Sequence, residues 1–153
     1  MSVVETQIRN AALSDMAVLR DVYRRASLSN PGDRASLLSN PDVLEFADQA
    51  VRQGRTRVAV ADGRIVGFAS TVVGDTAVEV EDLFVDPAWM RRGVGLALVV
   101  DMIVTAQAQG CRRLEVTANE HARAFYARAG FVDDGPVDTR FGPAPRMHLD
   151  IAG

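Results

Sequence analysis

Apolar positions along this chain keep two periods, and the places where the period changes outline its elements. Residues 3–11 read as a strand, with Val4, Thr6 and Ile8 set between polar neighbours. Ser14 is a good helix N-cap. Met16, Leu19, Tyr23 and Ala26 follow at helical spacing, which predicts an amphipathic helix over 15–28. Asn30-Pro31-Gly32-Asp33 breaks it. Asn40 caps a second expected helix, with Pro41 at its first position, that runs to about Gln53 and ends at Gly54. Strands over 55–61 and 65–73 flank Asp62-Gly63, a strong two-residue hairpin signal. Gly74-Asp75 turns the chain into a strand over 76–85. Residues 92–109 are apolar nearly all round, so the helix expected there should be buried. Gly110 ends it. A strand over 113–117 follows, then a helix that Asn119 caps and Gly130 stops. A final hairpin joins 131–137 to 146–151 through a loop at 141–145.

The strand over 76–85 carries an irregularity. Val78 and Val80 are apolar at even positions, whereas Leu83 and Val85 are apolar at odd ones. The side-chain period of a strand is two, so a change of phase across Glu81-Asp82 implies one extra residue, a β-bulge. A strand end buried on both faces is the alternative, because Phe84 is apolar too.

The chemistry concentrates just after this strand, in Asp86-Pro87-Ala88-Trp89-Met90-Arg91-Arg92-Gly93-Val94-Gly95-Leu96. Asp86-Pro87 stops the strand. Two glycines at i and i+2 let the backbone turn tightly and approach a ligand closely. The first N–H groups of the following helix lack internal partners and sit at the positive end of its dipole. Such an end suits a diphosphate, and Arg91 and Arg92 add charge beside it. The dinucleotide fingerprint G-x-G-x-x-G/A fails at its third place, which is Leu98, and too little chain follows for further parallel units. A glycine turn that binds nothing is the other alternative.

Composition narrows the picture further. At 153 residues the chain is expected to be one domain, 1–153, with a proper core. The net charge of −3 gives no electrostatic case for nucleic acid. All 17 Lys and Arg positions are arginine, which reads as a genome-wide composition bias. No apolar run is long enough for a membrane span and the N-terminal residues show no signal-peptide pattern, so a cytoplasmic protein is expected. Cys111 is the only cysteine and reads as a structural thiol. His121 and His148 lack metal-ligand spacing, so no metal is expected.

Phe84-Val85-Asp86-Pro87 with Arg92-Gly93-Val94-Gly95 resembles the acetyl-CoA-binding motif of the GNAT (GCN5-related) N-acetyltransferase family. The family pattern opens with Gln or Arg, and Met90 stands there instead. Downstream, Asn119, Ala122, Phe125-Tyr126 and Gly130-Phe131 resemble the family's second signature. The resemblance implies an α/β (α+β) fold, with a mixed, strongly twisted sheet of about seven strands and helices on both faces. It implies acetyl-CoA as co-substrate, held by the backbone of Leu83, Phe84 and Val85, by Arg91, Arg92, Gly93, Val94, Gly95 and Leu96, and by Asn119. It implies Tyr126 as the acid that protonates the CoA thiolate, and Glu81 as general base, with Glu115 and Glu79 as rivals. The Val85 N–H is the expected oxyanion donor. The acceptor is then an amine on a small molecule or peptide, bound along 23–46 and 137–146, where Arg24, Arg25, Arg34 and Arg140 are either carboxylate-binding groups or a solvated face. Homodimers are common in such a family. A catalytically idle acyl-CoA-binding module is the alternative function.

Overall fold

The computed structural model describes residues 5–29, 46–140 and 142–151. The first part of the second helix expected from Asn40 to about Gln53, and most of the proposed acceptor loop, lie outside these residues; within them helix begins only at Gln49. Seven strands form one sheet in the order β1-β2-β3-β4-β5-β7-β6. They are β1 (Gln7–Asn10), β2 (Thr56–Ala61), β3 (Arg64–Val73), β4 (Ala77–Val85), β5 (Arg113–Thr117), β6 (Val132–Thr139) and β7 (Gly142–Asp150). Among the described residues four helices join them: α1 (Met16–Leu28), α2 (Gln49–Arg52), α3 (Val94–Ala108) and α4 (Arg123–Arg128). Strands β1, β2 and β3 pair antiparallel, β4 pairs parallel with β5, and β7 pairs antiparallel with both β5 and β6. The sheet is therefore mixed, and α3 is the crossover that the parallel pair requires. The chain divides into two compact units, 1–70 with 82–98 and 71–81 with 99–153.

In the first unit, Asp62 and Gly63 both take positive φ (52° and 73°), the backbone of a type I′ turn, which sets Ala61 opposite Arg64. Helix α1 lays Met16, Leu19 and Val22 against Val58 and Phe68 of the sheet. Its entry differs from expectation. Ser14 lies inside a 3-10 turn, Leu13–Asp15, and it is Asp15 that accepts the Ala12 N–H at 2.8 Å. Arg9 fixes that carboxylate from outside at 2.9 Å, and a charged acceptor is stronger than a hydroxyl. Helix α2 ends as expected at Gly54 (φ 70°).

Gly67 and Phe68 are neighbours on β3, so they face opposite sides of the sheet. Phe68 packs with the residues of α1. A Cβ on Gly67 would meet Val94 Cγ1 at 3.0 Å and Leu98 Cδ1 at 3.4 Å, both on α3. Helices α1 and α3 therefore cover opposite faces. Helix α3 is not buried all round, as its composition suggested. Val94, Leu98, Val99, Met102 and Ala106 are buried, whereas Leu96, Val100 and Val104, spaced one turn apart, are each more than half exposed. A helix laid on a sheet buries the side that faces it, whatever the rest of its surface is made of.

The end of β4 is fixed by a buried carboxylate. Asp86 accepts two hydrogen bonds from Arg25 of α1, at 2.8 and 2.7 Å, and a third from the Ala88 N–H at 2.9 Å. Its own N–H donates to the Val66 carbonyl of β3 at 2.8 Å. The third bond caps the 3-10 turn Pro87–Trp89 that follows.

In the second unit, β4 pairs with β5 from Ala77–Arg113 to Val80–Val116. Val78, Val80, Leu114, Val116 and Met147 are buried on one side of these strands. The final hairpin is longer than expected, because Pro143 and Pro145 lie within β7 rather than in a loop. Pro145 turns its carbonyl to the Ala118 N–H at 2.8 Å, on the β5 side, so the N–H groups that its ring and that of Pro143 lack would point away from β6. Pro136, opposite Pro145, then turns its nitrogen to the outer edge, where a strand tolerates proline. No helix among the described residues is long and apolar enough to cross a membrane.

Two measurements follow from this packing. Gly67→Ala puts a methyl group against the Phe84 carbonyl, 3.0 Å from the ideal Cβ, and a backbone oxygen cannot rotate away. The expected loss is about 1–3 kcal/mol in urea unfolding. Asp86→Asn strands Arg25, whose side chain is 43% exposed and partly resolvated, so the loss at pH 7 is expected at about 1–2 kcal/mol. Burial opposes the charge on Asp86, but the hydrogen bonds from Arg25 and Ala88 outweigh it and hold its pKa below the ordinary carboxylate value. That contribution is complete above the unfolded value of about 4 and is lost as pH falls through the lower, folded one. The gap between wild type and Asp86→Asn should therefore close in acid, and a gap that stays constant with pH contradicts the pairing.

Candidate active site

In the first unit the chain leaves Asp86 through the 3-10 turn Pro87–Trp89 and reaches α3 in four residues. Arg91 and Gly93 both have positive φ, 63° and 85°. Glycine bears this without cost, whereas for Arg91 it is a strained, left-handed backbone. The first bond of α3 runs from the Ala97 N–H to the Gly93 carbonyl at 3.0 Å. Val94, Gly95 and Leu96 occupy the first three helical positions, whose N–H groups have no acceptor within the helix. These are residues singled out as a diphosphate cradle. Arg91 and Arg92 are exposed, and the Arg92 guanidinium lies over the Trp89 indole, 4.9 Å from its centroid. Met90, the departure from the family pattern, is extended (φ −64°, ψ 151°) with its side chain exposed.

Strand alternation orients the preceding backbone. The Asp86 N–H faces β3, and the Phe84 carbonyl lies against Gly67 of β3. Leu83 and Val85 therefore turn their N–H and C=O groups the other way. The Phe84 side chain belongs to an aromatic cluster: it meets Tyr23 edge-on at 4.8 Å and Phe68 at 5.7 Å, while Phe46 lies 5.6 Å from Tyr23. Burial first, and the Asp82 carboxylate second, push the Tyr23 phenol above its ordinary pKa. No periodicity along the chain points to this cluster, because its members are separated by 16 residues or more and only the fold unites them. Arg25, considered as a carboxylate-binding group, is already engaged by Asp86 and by Asp21, the latter at 2.9 Å.

In the second unit the three candidate bases have different surroundings. Glu79 and Glu115 face each other across the β4–β5 ladder, an arrangement in which like charges repel. Arg146 of β7 resolves it. It donates two bonds of 2.6 Å to Glu79 and lies 3.9 Å from Glu115. Hydrogen bonding to Glu79 leads the causes that raise the Arg146 pKa. Glu81 is exposed, two residues along the strand from Glu79.

Tyr126 lies on the buried face of α4, edge-on to Phe125 at 5.2 Å and Phe131 at 5.1 Å. Asn119 takes the N-cap position of the 3-10 turn Glu120–Ala122, but its side chain makes no capping bond. Cys111 is buried with its thiol 3.6 Å from the Gly74 carbonyl, as a structural thiol should be. Among the described residues there is no cluster of three or more His, Cys, Asp or Glu side chains placed to hold a metal.

Comparison with known proteins agrees with these features. The chain is 29% identical over 139 residues to a glucosamine 6-phosphate N-acetyltransferase of Trypanosoma brucei brucei, covering 84% of this chain and 90% of that protein. A GCN5-related N-acetyltransferase structure from Rhodopseudomonas palustris superposes with a TM-score of 0.79 at 23% identity, covering 99% of both chains. The PaiA N-acetyltransferase of Thermoplasma acidophilum, solved with coenzyme A, gives a TM-score of 0.76 at 16% identity over 95% of this chain and 99% of that one. These two likenesses are of fold. The profile of the Acetyltransferase (GNAT) family matches residues 12–131, which spans both motifs and most of the chain. The protein is therefore an acyltransferase that belongs to the GNAT acetyltransferase family.

Proposed function

We propose that this chain moves an acetyl group from acetyl-CoA to a primary amine of a small molecule or peptide, directly, within a ternary complex. The observation that carries this reading is the turn from Arg91 into α3, where three helix-end N–H groups meet two arginines. The diphosphate of CoA lies on the N–H groups of Val94, Gly95 and Leu96, with Arg91 and Arg92 beside it. The backbone of Leu83 and Val85, turned away from β3, takes the amides of the pantetheine arm as a strand edge takes a peptide. Phe84 contributes its place in the strand, and its side chain stays in the aromatic cluster. Asn119 contacts the arm through its amide.

In the reaction the amine loses a proton, directly or through water, to Glu81. The freed lone pair attacks the thioester carbonyl, and the Val85 N–H donates to the oxyanion that forms. Collapse of the tetrahedral species breaks the C–S bond; Tyr126 gives its proton to the departing thiolate, and the second proton released by the nitrogen returns through solvent to the Tyr126 phenolate. Glu79, which takes two hydrogen bonds from Arg146, and Glu115, 3.9 Å from the same guanidinium, are the rival bases. The 29% identical relative is named for glucosamine 6-phosphate, so amino-sugar phosphates stand first among the acceptors to try. The chain works as a single acetyltransferase domain of 153 residues, without a metal.

Release of free thiol from acetyl-CoA, measured across a panel of amino-sugar phosphates, amino acids, polyamines and peptide N-termini, tests the proposal. At least one acceptor should give turnover. Tyr126→Phe should lower kcat by about 10- to 1,000-fold with little change in acetyl-CoA affinity, and Glu81→Gln should lower it by about 10²-fold. CoA binding without turnover on any amine, and with both variants indistinguishable from wild type, would point instead to an idle acyl-CoA-binding module.

A further inference from the structure

Asp86 is the only charged residue that is buried among the described residues. A carboxylate in that position is costly unless it is paired, and replacing such a pair by apolar groups is often neutral or stabilising. Its partners show what the charge does here. Arg25 holds both carboxylate oxygens, at 2.8 and 2.7 Å, from the last turns of α1. One of those oxygens also takes the Ala88 N–H, and the Asp86 carbonyl takes the Trp89 N–H at 2.8 Å. Pro87 stiffens the same turn at its first position. The carboxylate thus fixes the three residues that place the Trp89 ring. Over that ring lies the guanidinium of Arg92, 4.9 Å from the centroid, one residue before Gly93.

We propose that Asp86, clamped by Arg25, is a positioning residue that sets Trp89 as a platform and so presents the Arg92 guanidinium, already oriented, to the diphosphate of CoA. The inference rests on the acetyl-CoA reading above. A free arginine side chain must be ordered when an anion arrives, which weakens binding. A guanidinium stacked on an indole has lost much of that freedom beforehand, while its donor edges remain open to a phosphate. Arg92 is exposed, so those edges are accessible. Met90 brings no charge to the place where the family pattern has Gln or Arg, and the stacked Arg92 supplies one two residues later. The platform depends on the carboxylate remaining ionised, and the pairing that lowers the Asp86 pKa keeps it so.

The chain supplies its own probe, because Trp89 is its single tryptophan. Wild type, Asp86→Asn and Arg25→Met are titrated with CoA and with pantetheine, which lacks the diphosphate, following Trp89 emission. Arg25 is largely open to solvent, so its variant keeps the test usable if Asp86→Asn folds poorly. Wild type should prefer CoA, and only CoA should change the Trp89 emission strongly, as Arg92 engages the diphosphate. Both variants should lose about tenfold in CoA affinity and little in pantetheine affinity. Their KM for acetyl-CoA should rise by more than kcat falls. Unchanged CoA affinity in both variants overturns the inference and leaves the acetyl-CoA reading standing. So does an equal loss for CoA and pantetheine, which marks general damage. Wild type that binds CoA no better than pantetheine overturns the reading of the cradle itself.

Discussion

One buried negative charge constrains how strand β4 gives way to helix α3. Asp86 can sit at 7% exposure only because a guanidinium from α1 covers both of its oxygens and a backbone N–H takes a third bond. Satisfying that charge ties the end of α1, the last rung between β3 and β4 and the Pro87–Trp89 turn to one another. Gly67 does the complementary work by lacking a side chain, since its bare Cα lets the Phe84 carbonyl and the start of α3 come close on the other face. A strained turn at Arg91 and Gly93 is held between these two requirements. The result is a helix end whose N–H groups are fixed in space before any ligand arrives, which is what electrostatic binding of a diphosphate needs.

Charge in the second unit is arranged differently. Two glutamates oppose each other on neighbouring parallel strands; Arg146 of β7 hydrogen-bonds Glu79, and Glu115 lies about 4 Å from both Arg146 and Arg113. That pairing ties β4 to β7. Glu81 lies two residues further along β4, and is exposed.

Elements whose signals are local were legible from the residues alone. The Asp62-Gly63 hairpin, the helix end at Gly54 and the glycine-opened start of α3 are set by backbone preferences of one or two residues. The seven-strand mixed sheet followed from the order of elements and from the two family motifs. What pattern could not show was which neighbour each element meets. Arg25 and Asp86 are 61 residues apart, and no periodicity links them. Asp86 before proline did carry a turn signal, though its partner could not be named. The apolar stripe of Leu96, Val100 and Val104 was read as buried because composition around a helix says nothing about which side the sheet will cover. The prolines of β7 were placed in a loop because their fit depends on facing away from β6, a property of sheet order rather than of sequence.

The central claim is that acetyl-CoA lies along the backbone of Leu83 and Val85 and on the first turn of α3. Hydrogen–deuterium exchange of the whole protein, with and without CoA, tests it most directly, because the groups proposed to bind are amide N–H groups whose exchange is read out by position. The account predicts that CoA slows exchange in peptides covering 82–86 and 91–98, with NAD giving no such effect. Protection confined to other segments, or none at saturating CoA, would contradict it.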